Sequence, residues 1–346
     1  MRSKWTSVVA VVGIAGTLAL AGCGGDSSAE DSPKLASSIK DACALGDKEK
    51  AVNWWRSGDE ADLREEIAPF EKEHPDIKIT IGLYRPNEIV QRMSAEMQAG
   101  KKPGADVVDG DLLTLDPLFQ QGWIQDYDWA AAGTPEEHIT EVNGAPGVRN
   151  SRTYIGLAYN TDVVPAAEVP KTYQDLIDSK WAGKVVYDPR GTYLQGTSVV
   201  WGPDKAIAWF DDLLDTTKAV PIEGGTASIE AVVQGQYAMT TSASQNDAQA
   251  NIDSGAPLGF QLLDVIPVND YNTALIKGAE HPNAAACFLE WWTGPEGEAG
   301  RLKVEGKSNA EAPADMPAGS ELAVVDTQED FDAADKMVTH IAESSQ

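Results

Sequence analysis

From residue 51 onward, short β-type runs alternate with amphipathic helical stretches almost to the end of the chain, which confines it to an α/β fold with largely parallel sheets. Ala51-Val52-Asn53-Trp54-Trp55 reads as a first strand. A helix follows from about Asp59, with Leu63, Ile67 and Phe70 on one face, and stops before Pro75. Ile77 to Ile81 alternates as a strand; the next helix, capped by Asn87, turns Val90, Met93 and Met97 inward until Gly100 ends it. Ala105 to Val108 is a third strand entering a Gly110-Asp111 turn. Farther on, Tyr154 to Asn160 is extended, Thr172 with Asp175 forms a capping box that opens a helix, and Lys184 to Tyr187 is a strand. The stretch after Pro203 has a clear 3.6-residue period in Ala206, Trp209, Phe210, Leu213 and Leu214. A helix capped by Thr226 buries Ile229, Val232 and Val233 before the strand Tyr237 to Thr240. Asn309 to Gly319 is a loop, and Phe331, Ala334, Met337 and Ile341 line one side of a closing helix capped by Thr327 and Asp330. No fixed-period repeat appears, which disfavours a solenoid or propeller.

The N-terminus carries a processing signal. Arg2 and Lys4 precede an apolar or small run from Val8 to Ala21 that is shorter than the roughly 20 residues a membrane span needs. It ends in Leu20-Ala21-Gly22-Cys23, which resembles the lipobox of bacterial lipoproteins; residues 1–22 would be removed and Cys23 lipidated. The polar stretch from Gly24 to Pro33 has no apolar face to bury, so residues 23–45 are read as a flexible tether. About 300 residues remain, enough for two lobes of ordinary domain size.

The formal net charge is −27, and loss of Arg2 and Lys4 makes it two units more negative. Such a surface repels nucleic acid and anionic headgroups, but leaves open the sign of a sheltered cleft. Of three cysteines, Cys43 and Cys287 remain once Cys23 is modified; an oxidising compartment permits a disulfide between them, and one buried thiol with one exposed is the equal alternative.

Several segments together resemble the extracellular solute-binding proteins of ABC importers, in the branch that includes ferric-ion, phosphorylated-sugar and thiamine binders. They are Val52-Asn53-Trp54-Trp55 ahead of Phe70-Glu71-Lys72-Glu73-His74-Pro75, Gly104-Ala105-Asp106-Val107-Val108, Gly156-Leu157-Ala158-Tyr159-Asn160-Thr161 and Pro170 to Leu176 with Trp181 to Val185. Gly235 to Met239, Ala274 to Lys277, and His281 to Ala286 leading into Phe288-Leu289-Glu290-Trp291-Trp292 complete the set. The resemblance implies a type II periplasmic-binding-protein fold, with residues 46–155 and 272–310 in one lobe and 156–271 in the other. It leaves 311–346 unassigned. Two hinge strands are expected to cross near Thr153 to Tyr159 and Val265 to Thr273. It further implies a monomer, without cofactor, that delivers a small solute to membrane permease subunits. A lipid-anchored adhesion or scaffold module is the alternative of another class.

Ligands in open α/β folds sit beyond the carboxyl ends of strands, at helix N-termini. Five such junctions supply candidates: Arg56, Ser57 and Gly58; Gly110 and Asp111; Arg190, Gly191 and Thr192; Gly225 and Thr226; and Thr241, Ser242 and Ser244. Tyr159 at the expected hinge is a further one. Arg190, beside a glycine and a hydroxyl, suits a carboxylate or phosphate. Ferric-ion binders of the branch hold metal through adjacent tyrosines, and this sequence has Thr241-Ser242-Ala243-Ser244 in their place. A small organic anion is therefore favoured, with ferric ion on Tyr159, Tyr187 and Tyr193 as runner-up. The four histidines show no paired metal spacing and no Gly-x-Ser-x-Gly elbow or P-loop occurs, so no enzyme is expected.

Overall fold

The computed structural model describes residues 33–345, so the leader and Cys23 lie outside the described residues. The chain runs through α1 (Ile39–Glu49), β1 (Ala51–Arg56), α2 (Glu60–Glu73), β2 (Lys78–Leu83), α3 (Pro86–Gln98), β3 (Val107–Asp111) and α4 (Leu112–Gln120). The single turn α5 (Trp129–Ala132) and β4 (Ile139–Val142) lead to β5 (Ala145–Asn160), the longest strand at 16 residues. Beyond it come β6 (Val185–Tyr187), α6 (Gly196–Trp201), α7 (Pro203–Thr217), β7 (Val220–Pro221), α8 (Gly225–Val233), β8 (Met239–Ser244), α9 (Gln245–Asp253) and β9 (Leu258–Gln261). The chain returns along β10 (Val265–Leu275) to α10 (Pro282–Thr293) and α11 (Pro295–Glu305), and closes with β11 (Glu321–Ala323) and α12 (Gln328–Ser344).

The strands follow the order β2-β1-β3-β10-β5-β8-β6-β7, and β5 and β10 join two lobes. Up to Tyr154, β5 pairs with β10 in lobe 1; from Ile155 it pairs with β8 and β9 in lobe 2. In β10 the change falls between Pro267, paired to β11, and Val268, paired to Tyr154. Both changes lie inside the crossings expected from sequence.

Each lobe is a sheet covered on both sides. The period of two along β1 turns Trp54 toward Phe70, Phe288 and Trp292, and Trp55 toward Ile89 and Met93. Lobe 2 buries Leu157, Tyr173, Trp209, Phe210 and Met239 on one face and Ile229, Val232 and Ala243 on the other. The unassigned C-terminal helix α12 packs Met337 and Ile341 into lobe 2, while Phe331 at its start joins a lobe 1 cluster.

Several local readings change. Gly110 and Asp111, read as a turn, are the last residues of β3 and pair with Asn272 and Tyr271 of β10. Residues 39–45, read as tether, belong to α1, capped by Ser38; Leu35 and Ala36 already pack on the core. The capping box at Thr172 and Asp175 forms, but it opens only a 3-10 turn, Gln174–Leu176. Helices α3 and α8 each begin two residues early, with Arg85 and Gly224 at their N-caps rather than Asn87 and Thr226.

Lobe 1 also buries a charged cluster: Arg56, Asp109, Glu66 and Arg301 are each 2 % exposed or less. Burial, and repulsion from Glu305, raise the Glu66 carboxyl to about 7. An acid whose pKa is higher folded than unfolded supports the fold fully below its unfolded value of about 4.5, and that support is lost as pH rises through 7. Glu66→Gln, which cannot ionise, is therefore expected to match the parent near pH 4 and exceed its stability by up to about 3 kcal/mol at pH 8. Denaturant melts at the two pH values check this; equal offsets at both would refute it.

Candidate functional site

Between the lobes lies a cleft of about 620 Å³. Lobe 1 contributes Ser57 after β1, Arg85 and Asn87 at the start of α3, and Asp111 and Thr114 at the β3–α4 junction. Lobe 2 contributes Arg190, Thr192, Tyr193 and Gln195 from the loop after β6, and Glu223 to Thr226 at the start of α8. The crossing strand β10 supplies Asn269 and Tyr271. A recess of about 130 Å³ shares Tyr193, Asn269 and Tyr271 and adds Ser151, Thr153, Ser244, Asp247 and Lys307 among others. Surface depressions of similar size beside Trp129 and beside Trp181 each draw on one lobe alone. The cleft lies where strands end and helices begin, the position at which open α/β sheets offer unpaired N–H groups.

The lobe 2 wall is organised by Asp188. Buried at 1 % exposure, its carboxylate accepts from the Arg190 backbone N–H at 2.9 Å, from Arg190 Nε at 3.1 and 3.0 Å and Nη2 at 2.5 Å, and from the Gly224 N–H at 3.2 Å. One side chain thus fixes the guanidinium and the entry to α8. Helix α8 has no side-chain cap at Gly224, and Gly225 and Thr226 of its first turn line the cleft, at the positive end of the helix dipole. The Tyr193 hydroxyl lies against that turn: a Cβ on Gly225 would meet it at 2.4 Å, so glycine is required for the approach.

Opposite, the Tyr271 and Ser57 hydroxyls share a hydrogen bond of 2.8 Å. Burial, with the carboxylates of Asp247 and Asp188, raises the Tyr193 phenol to about 12, and burial raises Tyr271 further still. Both phenols are therefore neutral O–H groups near neutral pH, able to donate to an oxyanion. Asp111 caps α4 by accepting the Thr114 N–H at 2.8 Å; burial raises its carboxyl against the pull of that bond and of Arg190 across the cleft. At the mouth, Arg85 Nη1 and Glu223 Oε1 face each other between the lobes at 3.6 Å. Both are exposed, so the pair contributes no more than about 1 kcal/mol.

Of the residues expected from sequence, Ser57, Asp111, Arg190, Thr192, Gly225 and Thr226 line the cleft and Ser244 lines the recess. The others do not. Arg56 points the other way, with its guanidinium 4.9 Å from the Trp54 ring and 5.1 Å from Trp292, facing Asp109 and Glu305. Gly58 and Gly110 lie against Leu63 and Leu115, and Gly191, at φ +76°, makes the turn beneath Val338. Thr241 and Ser242 are buried inside β8, where the Ser242 hydroxyl accepts the Asp188 N–H at 2.7 Å. Tyr159 covers Gly259 of β9, and Tyr187 packs on Phe210 and bonds Ser345 at 3.0 Å. The three tyrosines of the ferric alternative are therefore not brought together; Tyr193 alone reaches the cleft. Sequence reading missed Arg85, Asn87, Gln195, Asn269, Tyr271 and Lys307.

Away from the cleft, Cys43 and Cys287 form a disulfide with Cα atoms 4.9 Å apart, joining α1 to α10. No helix among the described residues is long and apolar enough to cross a membrane.

Among curated proteins no sequence matches this one. Solved structures do resemble it. Iron-bound HitA from Pseudomonas aeruginosa superposes with a TM-score of 0.71 at 16% identity, covering 86% of this chain and 99% of that one. The substrate binding protein of an ABC transporter from Agrobacterium tumefaciens gives 0.70 at 17% identity, with 86% and 94% covered. Fructose-6-phosphate-bound AfuA from Actinobacillus pleuropneumoniae gives 0.66 at 19% identity, with 85% and 97% covered. These likenesses establish the type II periplasmic-binding-protein fold. Residues 65–315 match the family described as bacterial extracellular solute-binding protein, and this chain, two-lobed and with a polar cleft between its lobes, belongs to that family.

Proposed function

We propose that the protein is the solute-capturing component of an ABC importer, anchored through a lipid on Cys23 at the outer face of the cytoplasmic membrane or in the periplasm, and that its ligand is a small organic anion carrying a phosphate or carboxylate. The observation that carries the ligand reading is the convergence of the uncapped start of α8, Arg190 and the neutral Tyr193 hydroxyl on one wall of the cleft. The carboxylates nearby do not cancel it. Asp188 is consumed by Arg190 and Gly224, Glu223 faces Arg85, and Asp247 bonds the Ser244 hydroxyl. Asp111 and the Ser57–Tyr271 pair on the opposite wall suit the hydroxyl or amino end of such a metabolite.

Ferric ion is the second reading, supported by Tyr193 and Tyr271, two phenols in one cleft. Their raised pKa values oppose it, because iron binding needs phenolate. A thermal-shift screen of sugar phosphates, phosphonates, carboxylates, neutral sugars and Fe(III) separates the two. Stabilisation by an anionic metabolite is expected; stabilisation by Fe(III) alone, with a phenolate-to-iron charge-transfer band, would reverse the choice. With the stabilising compound bound, small-angle scattering should show a more compact particle than without it, as the lobes close about β5 and β10. Intact-mass measurement of membrane-extracted protein should find a lipid on Cys23.

A further inference from the structure

Three side chains with soft-metal chemistry meet at the outer edge of lobe 1, away from the cleft. Cys43 on α1, Cys287 on α10 and His74 at the C-terminal end of α2 place their two Sγ atoms and a ring nitrogen within 4.8 Å of one another. His74 Nε2 stands 3.8 Å from Cys287 Sγ, close to the ligand-to-ligand edge of about 3.5 Å that tetrahedral zinc–sulfur and zinc–nitrogen bonds imply. On its far side, His74 Nδ1 lies 3.3 Å from a carboxylate oxygen of Asp47, one helical turn along α1 from Cys43. A carboxylate behind a ligating histidine selects the tautomer that leaves Nε2 free for metal. The Phe70 ring, with its centroid 4.8 Å from that of His74, holds the imidazole from one side.

We propose that, when the disulfide is reduced, Cys43, Cys287 and His74 form a Zn(II) site, with Asp47 as the positioning carboxylate. A dithiol reductant gives two electrons and two protons to the S–S bond and itself becomes a disulfide. Zn(II) then takes the place of the two thiol protons, which are released to solvent. The fourth coordination position is left to water. Disulfide and zinc are thus alternative fasteners for the same joint between α1, α2 and α10; a small-molecule disulfide that takes two electrons from the thiolates, and with two protons from solvent becomes a pair of thiols, re-forms the S–S bond and releases Zn(II).

The test uses the full mature chain, reduced with a phosphine and titrated with Co(II) as the spectroscopic probe and then Zn(II). Thiolate-to-cobalt charge transfer in the near ultraviolet is expected in the reduced protein, bleached by Zn(II), and absent from the oxidised protein. His74→Ala keeps both cysteines, and its oxidised form reports whether the variant folds; once reduced, it should bind Zn(II) at least about tenfold more weakly. Should the reduced chain lose its circular dichroism without metal, Zn(II) is expected to restore it in the parent and less readily in His74→Ala. No charge-transfer band at excess Co(II), or equal Zn(II) affinity in the two proteins, would overturn the site.

Discussion

Replacing both Cys43 and Cys287 by alanine, measured in the presence of a chelator, is expected to cost about 2 to 5 kcal/mol of stability. The partners are 244 residues apart in sequence, so the bond closes a loop that spans most of the chain and removes much freedom from the unfolded state. Other contacts hold the same joint and keep the cost within that range. The Glu49 carboxylate accepts the Asn283 and Ala284 N–H groups at 2.9 and 2.8 Å at the start of α10, and Gly46 lies so close to Ala284 that a Cβ there would come within 2.7 Å of its Cα. The variant should therefore fold, with α1 the first element to exchange its amide hydrogens. Urea unfolding followed by tryptophan fluorescence gives the difference, since Trp54 and Trp292 lie in the core that contains Cys287. A loss below about 0.5 kcal/mol would mean that the Glu49 and Gly46 contacts hold the joint by themselves.

The framework was readable because it rests on period. Strand β1 and helix α7 each carry enough apolar residues at the right spacing that no tertiary context could reassign them. The first helix escaped notice because its buried face consists of Ala42 and Gly46, residues that carry no hydrophobic signal and matter only because α10 approaches so closely. The box at Thr172 was a true local feature with the wrong consequence. Side-chain bonds from Thr172 and Asp175 satisfy the N–H groups of a 3-10 turn as well as those of a helix, so they fix a start without fixing the length or type of the element it opens.

The same periodicity explains which of the expected residues line the cleft and which turn away from it. Val52, Trp54 and Arg56 fall on one face of β1, and since Trp54 is core, Arg56 had to follow it inward; Ser57, beyond the last paired residue, is free to face the cleft. In β8 the hydroxyls of Thr241 and Ser242 are still within the strand, and Ser244 at its end is the first to reach the recess. Junction residues were thus legible once strand ends were known to within one residue, an accuracy that composition does not supply. Asn269 and Tyr271 could not be found this way. They sit in the middle of a crossing strand and are exposed to the cleft only because β10 passes from one lobe to the other at Pro267 and Val268.

Arg190→Ala is expected to weaken binding of the anionic ligand by about 1.5 to 3 kcal/mol, the scale of a hydrogen bond to a charged group. The geometry adds a second effect that must be separated from the first. Removing the guanidinium leaves Asp188 buried with the Arg190 backbone and Gly224 N–H groups as its remaining donors among those that now hold its carboxylate. Loss of one partner from a buried pair costs as much as about 3 to 5 kcal/mol, and the 44 % exposure of the arginine side chain places this case below that range. The comparison variant is Asp188→Asn, which keeps the shape of the anchor and removes its charge, freeing Arg190 from its bidentate hold. If Arg190 contacts the ligand directly, Arg190→Ala loses affinity in both backgrounds. If it acts only by neutralising Asp188, the loss disappears in the Asp188→Asn background, and the coupling across the double-mutant cycle equals the whole effect. Calorimetry on the four proteins with the compound identified by thermal shift measures both quantities, and the direct-contact reading requires at least about 1 kcal/mol of affinity to be lost when Arg190→Ala is added to Asp188→Asn.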